Sequence, residues 1–347
     1  MQTFSDLIKF GVSAGVSALV GKRVLYCLWE LTYRCNAKCE ICDYWRTPST
    51  PETEMKLAKI QEGLQKVYAY GCRAVNFTGG EPTLRPDLEN IIRYASGLRM
   101  WTSMVTNGSR LTRERVGALK KAGLDNLLIS LDSMTPALHD RHRGIDGLHA
   151  KVMDCLQWLS ADFLTGHRTG GIMCVLTRMN FQHISEIIKF ADERGVFVVI
   201  QPYHDNKTGN KSFHSDINDS DIDRILRTKN ERKNLLCSES YLRGFTRFYQ
   251  NNGQPQCHAG LKHFSIDPYG NLSPCVDMPP AGHLLKDDIS VVRSTEALQD
   301  VNSCQGCWYS FRGESDTTLS YQGCLEKLRL GLSVIAKNKK RKRAVES

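Results

Sequence analysis

The sequence predicts an α/β fold, a partial TIM-like (β/α)6 barrel with a small C-terminal cysteine-rich module, on two observations. Six strand-like runs alternate with helix-like runs between residues 24 and 202, and a second set of cysteines follows residue 256. Strands that alternate with helices pair in parallel through right-handed crossovers. Six units are fewer than the eight that close a barrel, so we expect an open one with ligands at the carboxyl ends of its strands.

The individual elements rest on short apolar or β-branched runs for strands and on helical spacing of apolar residues for helices. Glycine directly after several of the helical runs supplies the stop signal. The strands are predicted at Val24–Trp29, Ala74–Thr78, Met100–Thr106, Asn126–Leu131, Gly171–Leu176 and Val196–Gln201. The helices between them are predicted at Met55–Tyr70, Asp87–Ser96, Arg113–Ala122, Leu148–Leu159 and Ile184–Glu193.

The segments around the barrel core (24–202) differ from it in composition. We expect an apolar N-terminal helix over 1–23, a polar linker with helices at Asp219–Thr228 and Tyr241–Gln250 over 203–256, the cysteine-rich module over 257–324, and an amphipathic basic tail over 325–347. The first helix either caps the barrel or lies in a membrane interface. The tail is either a solubilising segment or binds an anionic membrane surface.

The composition is typical of a globular protein and indicates the cellular compartment in which it works. The 347 residues are 41% hydrophobic and 24% charged, with a formal net charge of +9. The basic excess favours an acidic partner, although the tail has little aromatic interleaving and nucleic acid is therefore disfavoured. Thirteen cysteines, several in close groups, suit metal ligation in a reducing compartment. With no secretory signal and no run long enough to span a bilayer, we expect a cytoplasmic location, with or without peripheral attachment to the inner face of a membrane.

Three cysteines occur within eight residues directly after the first strand. Cys35, Cys39 and Cys42 have the spacing C-x3-C-x2-C, and no further cysteine or histidine occurs before Cys72. A structural zinc site usually needs four protein ligands. Three thiolates can instead hold three corners of an iron–sulfur cluster and leave the fourth iron open to another ligand.

A second motif, Gly79-Gly80-Glu81, ends the second strand. Glycines at that position let backbone groups approach a ligand closely, because no side chain intervenes. A neighbouring carboxylate can accept hydrogen bonds from an ammonium group. Gly-Gly turns are common, so the motif alone is weak evidence for a ligand site. Its position after the cysteine loop makes it strong evidence.

Together these motifs make residues 24–201 resemble the radical S-adenosylmethionine (radical SAM) superfamily. The resemblance implies that Cys35, Cys39 and Cys42 hold a [4Fe-4S] cluster whose open iron binds S-adenosylmethionine (SAM). It implies further SAM contacts at the ends of three strands, from Gly79, Gly80, Glu81, Asn107, Ser130 and Asp132. For Ser130 and Asp132 the alternative is capping of the following loop.

The activity that the resemblance implies is enzymatic. An external electron donor such as flavodoxin or ferredoxin reduces the cluster, SAM is cleaved to a 5′-deoxyadenosyl radical, and this radical abstracts hydrogen from a substrate. The loop at His139–Gly144 faces the substrate side in relatives, and Arg143 is a candidate for binding an anionic group. We expect most of that loop to be solvated.

The C-terminal module contains five cysteines, Cys257, Cys275, Cys304, Cys307 and Cys324. A turn sequence, Asp267–Asn271, separates two strand-like runs between the first two and predicts a hairpin. The module resembles the SPASM or shorter twitch auxiliary-cluster module. The full SPASM pattern has seven cysteines, and Phe311 stands where another thiol is expected. We therefore expect one auxiliary [4Fe-4S] cluster held by four of the five, with a zinc ribbon as the alternative.

The substrate remains open at this stage. The apolar N-terminal segment and basic tail favour a membrane-associated lipid or isoprenoid, which is our first expectation. The C-terminal module favours peptide or protein maturation, which is the alternative. A tetrapyrrole or nucleotide is the third option, although Asn76 stands where molybdenum-cofactor cyclases usually have a substrate-binding arginine. The alternative of another class is a non-catalytic iron–sulfur or zinc protein that senses redox state, which has no use for the Gly-Gly-Glu motif. The sequence does not predict the oligomeric state.

Overall fold

A single nine-stranded sheet dominates the computed structural model, which describes residues 26–251, 253–254, 257–317 and 336. Six strands run parallel, as predicted: β1 (Tyr26–Thr32), β2 (Ala74–Gly79), β3 (Trp101–Thr106), β4 (Asn126–Ser130), β5 (Thr169–Leu176) and β6 (Phe197–Pro202). They lie in chain order across the sheet, from β6 at one edge to β1 near the middle. The predicted partial barrel is confirmed.

Helices cross over between successive strands. They are α1 (Leu57–Ala69), α2 (Leu88–Gly97), α3 (Arg113–Ala122), α4 (Pro136–Arg143), α5 (Leu148–Trp158) and α6 (Ile184–Glu193). The five helices other than α4 each bury an apolar stripe; in α1 the stripe consists of Ile60, Leu64 and Val67, at helical spacing. Burial of these stripes against strand residues such as Phe77 and Ile129 forms the main core.

Helix α4 is absent from the sequence-based prediction, which assigned this segment to a solvated loop and was wrong. Two local signals favour the helix: Pro136 occupies its first turn, and Gly144 ends it in a left-handed conformation with φ of 64°. The segment is also not solvated, because His139, His142 and Arg143 are buried. Charge composition suggested exposure, whereas these side chains face a buried carboxylate described below.

The C-terminal cysteines belong to a segment that continues the same sheet. Strand β7 (His263–Ile266) pairs in parallel with β1, followed by antiparallel β8 (Asn271–Ser273) and β9 (Gly282–His283). The predicted hairpin is confirmed as β7–β8. Its turn is held by the Asp267 carboxylate, which accepts hydrogen bonds from the backbone N–H groups of Tyr269 and Asn271 at 2.9 and 2.8 Å. Helices α9 (Thr295–Ser303) and α10 (Ser310–Thr317) follow.

The segment between barrel and C-terminal strands covers the opposite edge of the sheet. Its two predicted helices are present as α7 (Asp219–Arg232) and α8 (Glu239–Gln250). Between them, Asn234 and Leu236 exchange backbone hydrogen bonds of 2.9 Å with Val198 of β6. This pairing satisfies backbone N–H and C=O groups that would otherwise stay unpaired at the edge of the sheet.

The two segments that suggested membrane contact, 1–23 and 325–347, lie outside the described residues apart from position 336. Among the helices that the structure describes, none has the length and apolar character needed to cross a bilayer.

Because β5 pairs closely with β6, we expect position 171 to tolerate no residue larger than glycine. A Cβ atom there would lie 1.9 Å from the carbonyl oxygen of Phe197, so we expect Gly171→Ala to destabilise the protein by about 1–3 kcal/mol. In the interior of α3, Gly117 has no neighbour within 4 Å of an added Cβ. Gly117→Ala should therefore stabilise by about 0.5–1 kcal/mol. Urea denaturation measures both; shifts of the same sign would contradict this account.

Candidate active site

A cavity of about 260 Å³ opens at the carboxyl ends of the parallel strands. It is lined by eight of the predicted site residues, namely Cys35, Cys39, Cys42, Gly79, Gly80, Glu81, Asn107 and Ser130. The ninth from this part of the chain, Asp132, is fully buried behind the wall. The fold therefore collects residues from the ends of β1, β2, β3 and β4 at one place, as parallel strands of a barrel must.

The Gly-Gly pair lies against the backbone that leads into the cysteine loop. The N–H of Gly80 donates to the Thr32 carbonyl at 2.7 Å, and the N–H of Glu81 donates to the Arg34 carbonyl at 2.9 Å. A Cβ atom on Gly80 would lie 2.3 Å from the same Arg34 oxygen, and Gly79 adopts a φ of 113°. Both glycines are therefore needed for this approach, whatever they contribute to a ligand.

The opposite side of the cysteine loop rests on the end of α4. The N–H of Glu40 donates to the His142 carbonyl at 3.1 Å, and the Cys39 sulfur lies 3.8 Å from the Arg143 carbonyl oxygen. At Gly144, an added Cβ would lie 2.7 Å from the Lys38 carbonyl oxygen. The helix that sequence analysis missed thus forms one of the supports of the loop.

Glu81 and Asn107 form hydrogen bonds with other residues of the chain. The Glu81 carboxylate accepts hydrogen bonds from the N–H and hydroxyl of Thr83 at 3.0 and 2.5 Å, from the Thr106 hydroxyl at 2.7 Å and from the Asn107 N–H at 2.7 Å. A carboxylate can accept about four hydrogen bonds, so donors from the chain itself already occupy the acceptor positions of Glu81. The Asn107 side chain donates to Asn36 at 3.0 Å, which adds a further support to the cysteine loop.

Asp132 is the centre of a buried charge cluster. Its carboxylate lies 2.6 Å from Arg143 Nη2 and 3.3 Å from His142 Nδ1, and it accepts the Val175 N–H at 3.0 Å. Although burial opposes ionisation, the Arg143 guanidinium and His142 hold the pKa of Asp132 well below its usual range. Because Arg143 lines the cavity and Asp132 does not, the structure favours a supporting role for Asp132 over direct contact with a ligand.

The three loop thiols are suited to a multinuclear cluster. Burial raises the pKa of Cys35 to about 12 and also raises the pKa values of Cys39 and Cys42, so ionisation of these thiols calls for bound cations. Within the described ranges, no three histidine, cysteine or acidic side chains converge on a position for one metal ion. Three thiols that line one cavity are a ligand set that fits a [4Fe-4S] cluster with one open iron.

A second cavity, of about 660 Å³, contains the C-terminal thiols. Four of the five predicted cysteines line it: Cys257, Cys275, Cys304 and Cys307. Cys324 lies outside the described residues. Lys207 and Val276 line both cavities, so a thin wall separates them.

The wall between the cavities is a polar network that sequence analysis did not find. Lys207 Nζ donates to the Tyr44 hydroxyl at 2.8 Å and lies 3.3 Å from Asp277. Tyr44 in turn donates to Glu30, a buried carboxylate that also accepts from Tyr33 at 2.9 Å. Burial raises the pKa of Glu30, and Lys207 opposes that shift. These residues occur singly in the sequence, without a motif that could have revealed them.

His204 and the two aromatic residues Tyr309 and Phe311 complete the inner wall of the first cavity. Tyr309 stacks on Phe311 with ring centroids 4.8 Å apart, and the His204 ring meets Tyr309 edge-on at 4.0 Å. Burial lowers the pKa of His204 to about 4, so its imidazole is neutral near pH 7. Phe311, which occupies the place of an expected thiol, is a cavity residue.

Comparison with known proteins shows to which superfamily the chain belongs. A family model described as the radical SAM superfamily matches residues 29–191. A curated relative, a probable GTP 3′,8-cyclase of Sulfurisphaera tokodaii, is 30% identical over 262 residues, covering 71% of this chain and 79% of that protein. The chain belongs to the radical SAM superfamily, whose members are enzymes that use a [4Fe-4S] cluster and SAM.

Other relatives share a smaller part of their length. An AdoMet-dependent heme synthase of Methanosarcina barkeri is 30% identical, over 57% of this chain and 55% of that protein. A PqqA peptide cyclase of Rhodopseudomonas palustris is 32% identical, over 47% of this chain and 42% of that protein. The chain thus spans about half the length of these curated relatives.

A solved structure shares the fold. Streptococcus suis SuiB bound to S-adenosylmethionine matches with a TM-score of 0.65 at 19% identity, over 81% of this chain and 68% of that one. The match extends beyond the barrel, since residues 29–191 alone form a smaller share of the chain.

The Asp132 cluster predicts a pH-dependent stability. Asp132→Asn keeps the shape but leaves the Arg143 cation buried without its partner, which should cost about 3 kcal/mol at pH 7. Because the folded pKa of Asp132 is depressed, its charge contributes stability above the unfolded value of about 4, and that contribution is lost as the pH falls further. Denaturant unfolding should therefore show a difference between wild type and variant that shrinks below pH 4.

A matched control is Asp162→Asn, which removes a carboxylate from an exposed pair with Arg113. Such a pair contributes little in water, so we expect little change at either pH. A loss for Asp132→Asn no larger than that for Asp162→Asn would contradict the role given to the buried cluster.

Proposed function

We propose that this protein cleaves SAM reductively and uses the resulting 5′-deoxyadenosyl radical to abstract hydrogen from a substrate. The observation that carries the proposal is the meeting of Cys35, Cys39, Cys42 and the Gly79–Gly80 pair at one cavity. In this proposal the three thiols hold a [4Fe-4S] cluster that retains one iron without a protein ligand. When bound, the cluster and SAM supply the electron transfer and bond cleavage that side chains cannot provide.

The residues around the thiols orient SAM. Because the Glu81 carboxylate already accepts hydrogen bonds from Thr83, Thr106 and Asn107, we assign it to positioning the Gly79–Gly80 backbone, which lines the cavity. Ser130 remains a proposed direct contact. Arg143 lines the cavity beside Cys39, and its cation is already paired with the buried Asp132 carboxylate, so we assign it to supporting the cysteine loop and not to binding an anion.

Apolar side chains protect the reaction from water. The inward-facing strand residues include Leu28, Val105, Met173 and Val175, and Phe311 closes the same wall. An apolar lining limits side reactions of a reactive radical with solvent. This lining is therefore suited to hold a substrate against the cofactor.

We further propose one auxiliary [4Fe-4S] cluster in the second cavity. Cys257, Cys275, Cys304 and Cys307 together supply a complete set of four thiols, so a cluster there needs no contribution from Cys324. The shared wall at Lys207 and Val276 supports electron exchange with a substrate in the first cavity. We expect the first cluster to take its electron from an external donor, with flavodoxin or ferredoxin as the proposed partner.

The cavity charges support a neutral substrate. Of the described residues that line the first cavity, Arg143 and Lys207 carry positive charge, and each lies next to a carboxylate, Asp132 and Asp277 respectively. A polyphosphate would therefore meet no uncompensated cation there, which argues against a nucleoside triphosphate. The alternative of a membrane lipid rests on segments outside the described residues and stays a prediction.

Hydrogen-bonding and aromatic groups favour a peptide. Asn76, Gln201 and Ser310 line the cavity together with Tyr309 and Phe311. Amide and hydroxyl groups pair with peptide amides, and the aromatic rings can pack against an apolar side chain. The similarity to a PqqA peptide cyclase supports the same choice. We therefore propose peptide or protein modification as the activity.

Cysteine replacement tests the two clusters. Anaerobic reconstitution of the full chain should give about eight irons, since each [4Fe-4S] cluster contains four. The triple variant Cys35→Ala, Cys39→Ala, Cys42→Ala should retain about half of the iron and release no 5′-deoxyadenosine from SAM. Cys257→Ala should lose the other half and still cleave SAM.

The control is Cys237→Ala, because Cys237 is buried outside both cavities. It should leave iron content and 5′-deoxyadenosine release unchanged. Zinc in place of iron, together with no 5′-deoxyadenosine from the wild type, would overturn the proposed function.

The charge argument makes a prediction about substrates. GTP should leave the rate of 5′-deoxyadenosine release unchanged, because the two cavity cations are already paired. A pool of short neutral peptides should raise that rate by filling the cavity and positioning a hydrogen for abstraction. Sodium sulfate at equal ionic strength controls for salt effects on both. Stimulation or saturable binding by GTP, with no response to peptides, would refute the peptide proposal.

A further inference from the structure

Arg312 is a fully buried cation next to the second cavity. The residue is 1% exposed, and its Nη1 atom lies 2.7 Å from the Cys307 carbonyl oxygen and 3.7 Å from the Cys307 sulfur. Its Nη2 atom donates to the Gln254 carbonyl at 2.6 Å. The planar guanidinium is thus held by two carbonyls with one N–H group directed at a thiol.

The helix that carries Arg312 is itself firmly packed. The indole N–H of Trp308, just before α10, donates to the Tyr241 carbonyl of α8 at 3.0 Å. A Cβ atom on Gly313 would lie 2.2 Å from the Tyr241 ring, which shows how closely the two helices approach. Arg312 therefore reaches the thiols from a rigid element.

An acidic side chain lies near Arg312 on the same helix. Its Nε atom lies 3.7 Å from Asp316, whose other carboxylate oxygen pairs with His258 Nδ1 at 2.9 Å. On its other side, the guanidinium places its positive charge within hydrogen-bond distance of the Cys307 thiol.

We propose that Arg312 is a positioning residue for the auxiliary cluster, which orients the Cys307 thiolate and raises the reduction potential of the cluster. The inference rests on the proposed auxiliary cluster. A [4Fe-4S] centre with four thiolates is anionic, and its reduction adds one electron without breaking a bond. A cation with an N–H group directed at a ligand sulfur stabilises the reduced form more than the oxidised form. The centre thereby becomes a better acceptor for an electron leaving the first cavity.

The test uses the full chain with Cys35→Ala, Cys39→Ala and Cys42→Ala, so that only the auxiliary cluster remains. Iron is counted, and the midpoint potential is measured by EPR-monitored titration with dithionite. In this background Arg312→Gln removes the cation. We expect at least a tenfold change in the reduction equilibrium toward the oxidised cluster, which is 59 mV for one electron. Arg312→Lys should restore most of the potential.

The matched control is Arg293→Gln. Arg293 is in the same C-terminal region but donates to the backbone carbonyls of Gly260 and Leu261 at 3.0 and 3.2 Å. Its replacement should leave the potential unchanged. Four irons with an unchanged potential in Arg312→Gln would overturn the inference and leave the auxiliary cluster standing. A background protein without iron, or with zinc, would overturn the auxiliary cluster itself.

A measurement on the unaltered Arg312 covers the case in which its variants do not fold. Protein of the triple-cysteine background is labelled with ¹⁵N-arginine, the cluster is reduced, and pulsed EPR records nitrogen couplings. A ¹⁵N coupling from a guanidinium hydrogen bonded to a cluster sulfur supports the inference. Its absence would overturn it, whatever the behaviour of the variants.

Discussion

The contact between the end of β2 and the segment after β1 is the constraint on which the rest of the site depends. The amides of Gly80 and Glu81 donate to the carbonyls of Thr32 and Arg34, directly before Cys35. A short loop of three cysteines has no regular secondary structure to fix it, and its backbone groups need partners outside the loop. The amides of Gly80 and Glu81 fix the backbone that leads into the loop, at an approach that a side chain on Gly80 would prevent. A motif usually considered for ligand binding is therefore also a support of the cysteine loop.

Buried charges are placed around this site in compensated groups. The Asp132–Arg143 pair lies beside Cys39, and Glu54 joins Arg34 and Arg85 behind the same loop, at 3.0 and 3.4 Å. A buried ion costs several kcal/mol unless it is paired with good geometry. Pairing explains how the site accommodates so many charges, and it also leaves the first cavity without a free cation among its described lining residues. The proposed preference for a neutral substrate rests on that balance.

The C-terminal strands bring the second cavity to the first. Because β7 pairs with β1, the thiols of the second set approach the wall formed by Lys207, Asp277 and Val276. An independent module on a flexible linker would not place two cavities on either side of one side chain. The continuous sheet thus gives the two proposed clusters a fixed relation, and Arg312 would set the potential of one of them from within the same structure.

Local sequence patterns alone determined the parallel strands, most of their helices, the β7–β8 hairpin and the three-cysteine loop, because each depends on neighbouring residues. They failed at α4, where charged residues suggested solvent although Pro136 and Gly144 marked a helix. Only the tertiary structure decided that Asp132 faces Arg143, that the Glu81 carboxylate is filled by the chain, and that Lys207 lies between two cavities. These contacts join residues that are far apart in the chain. Charge pairing and burial depend on distance in space, and the spacing of residues along the sequence does not reveal that distance.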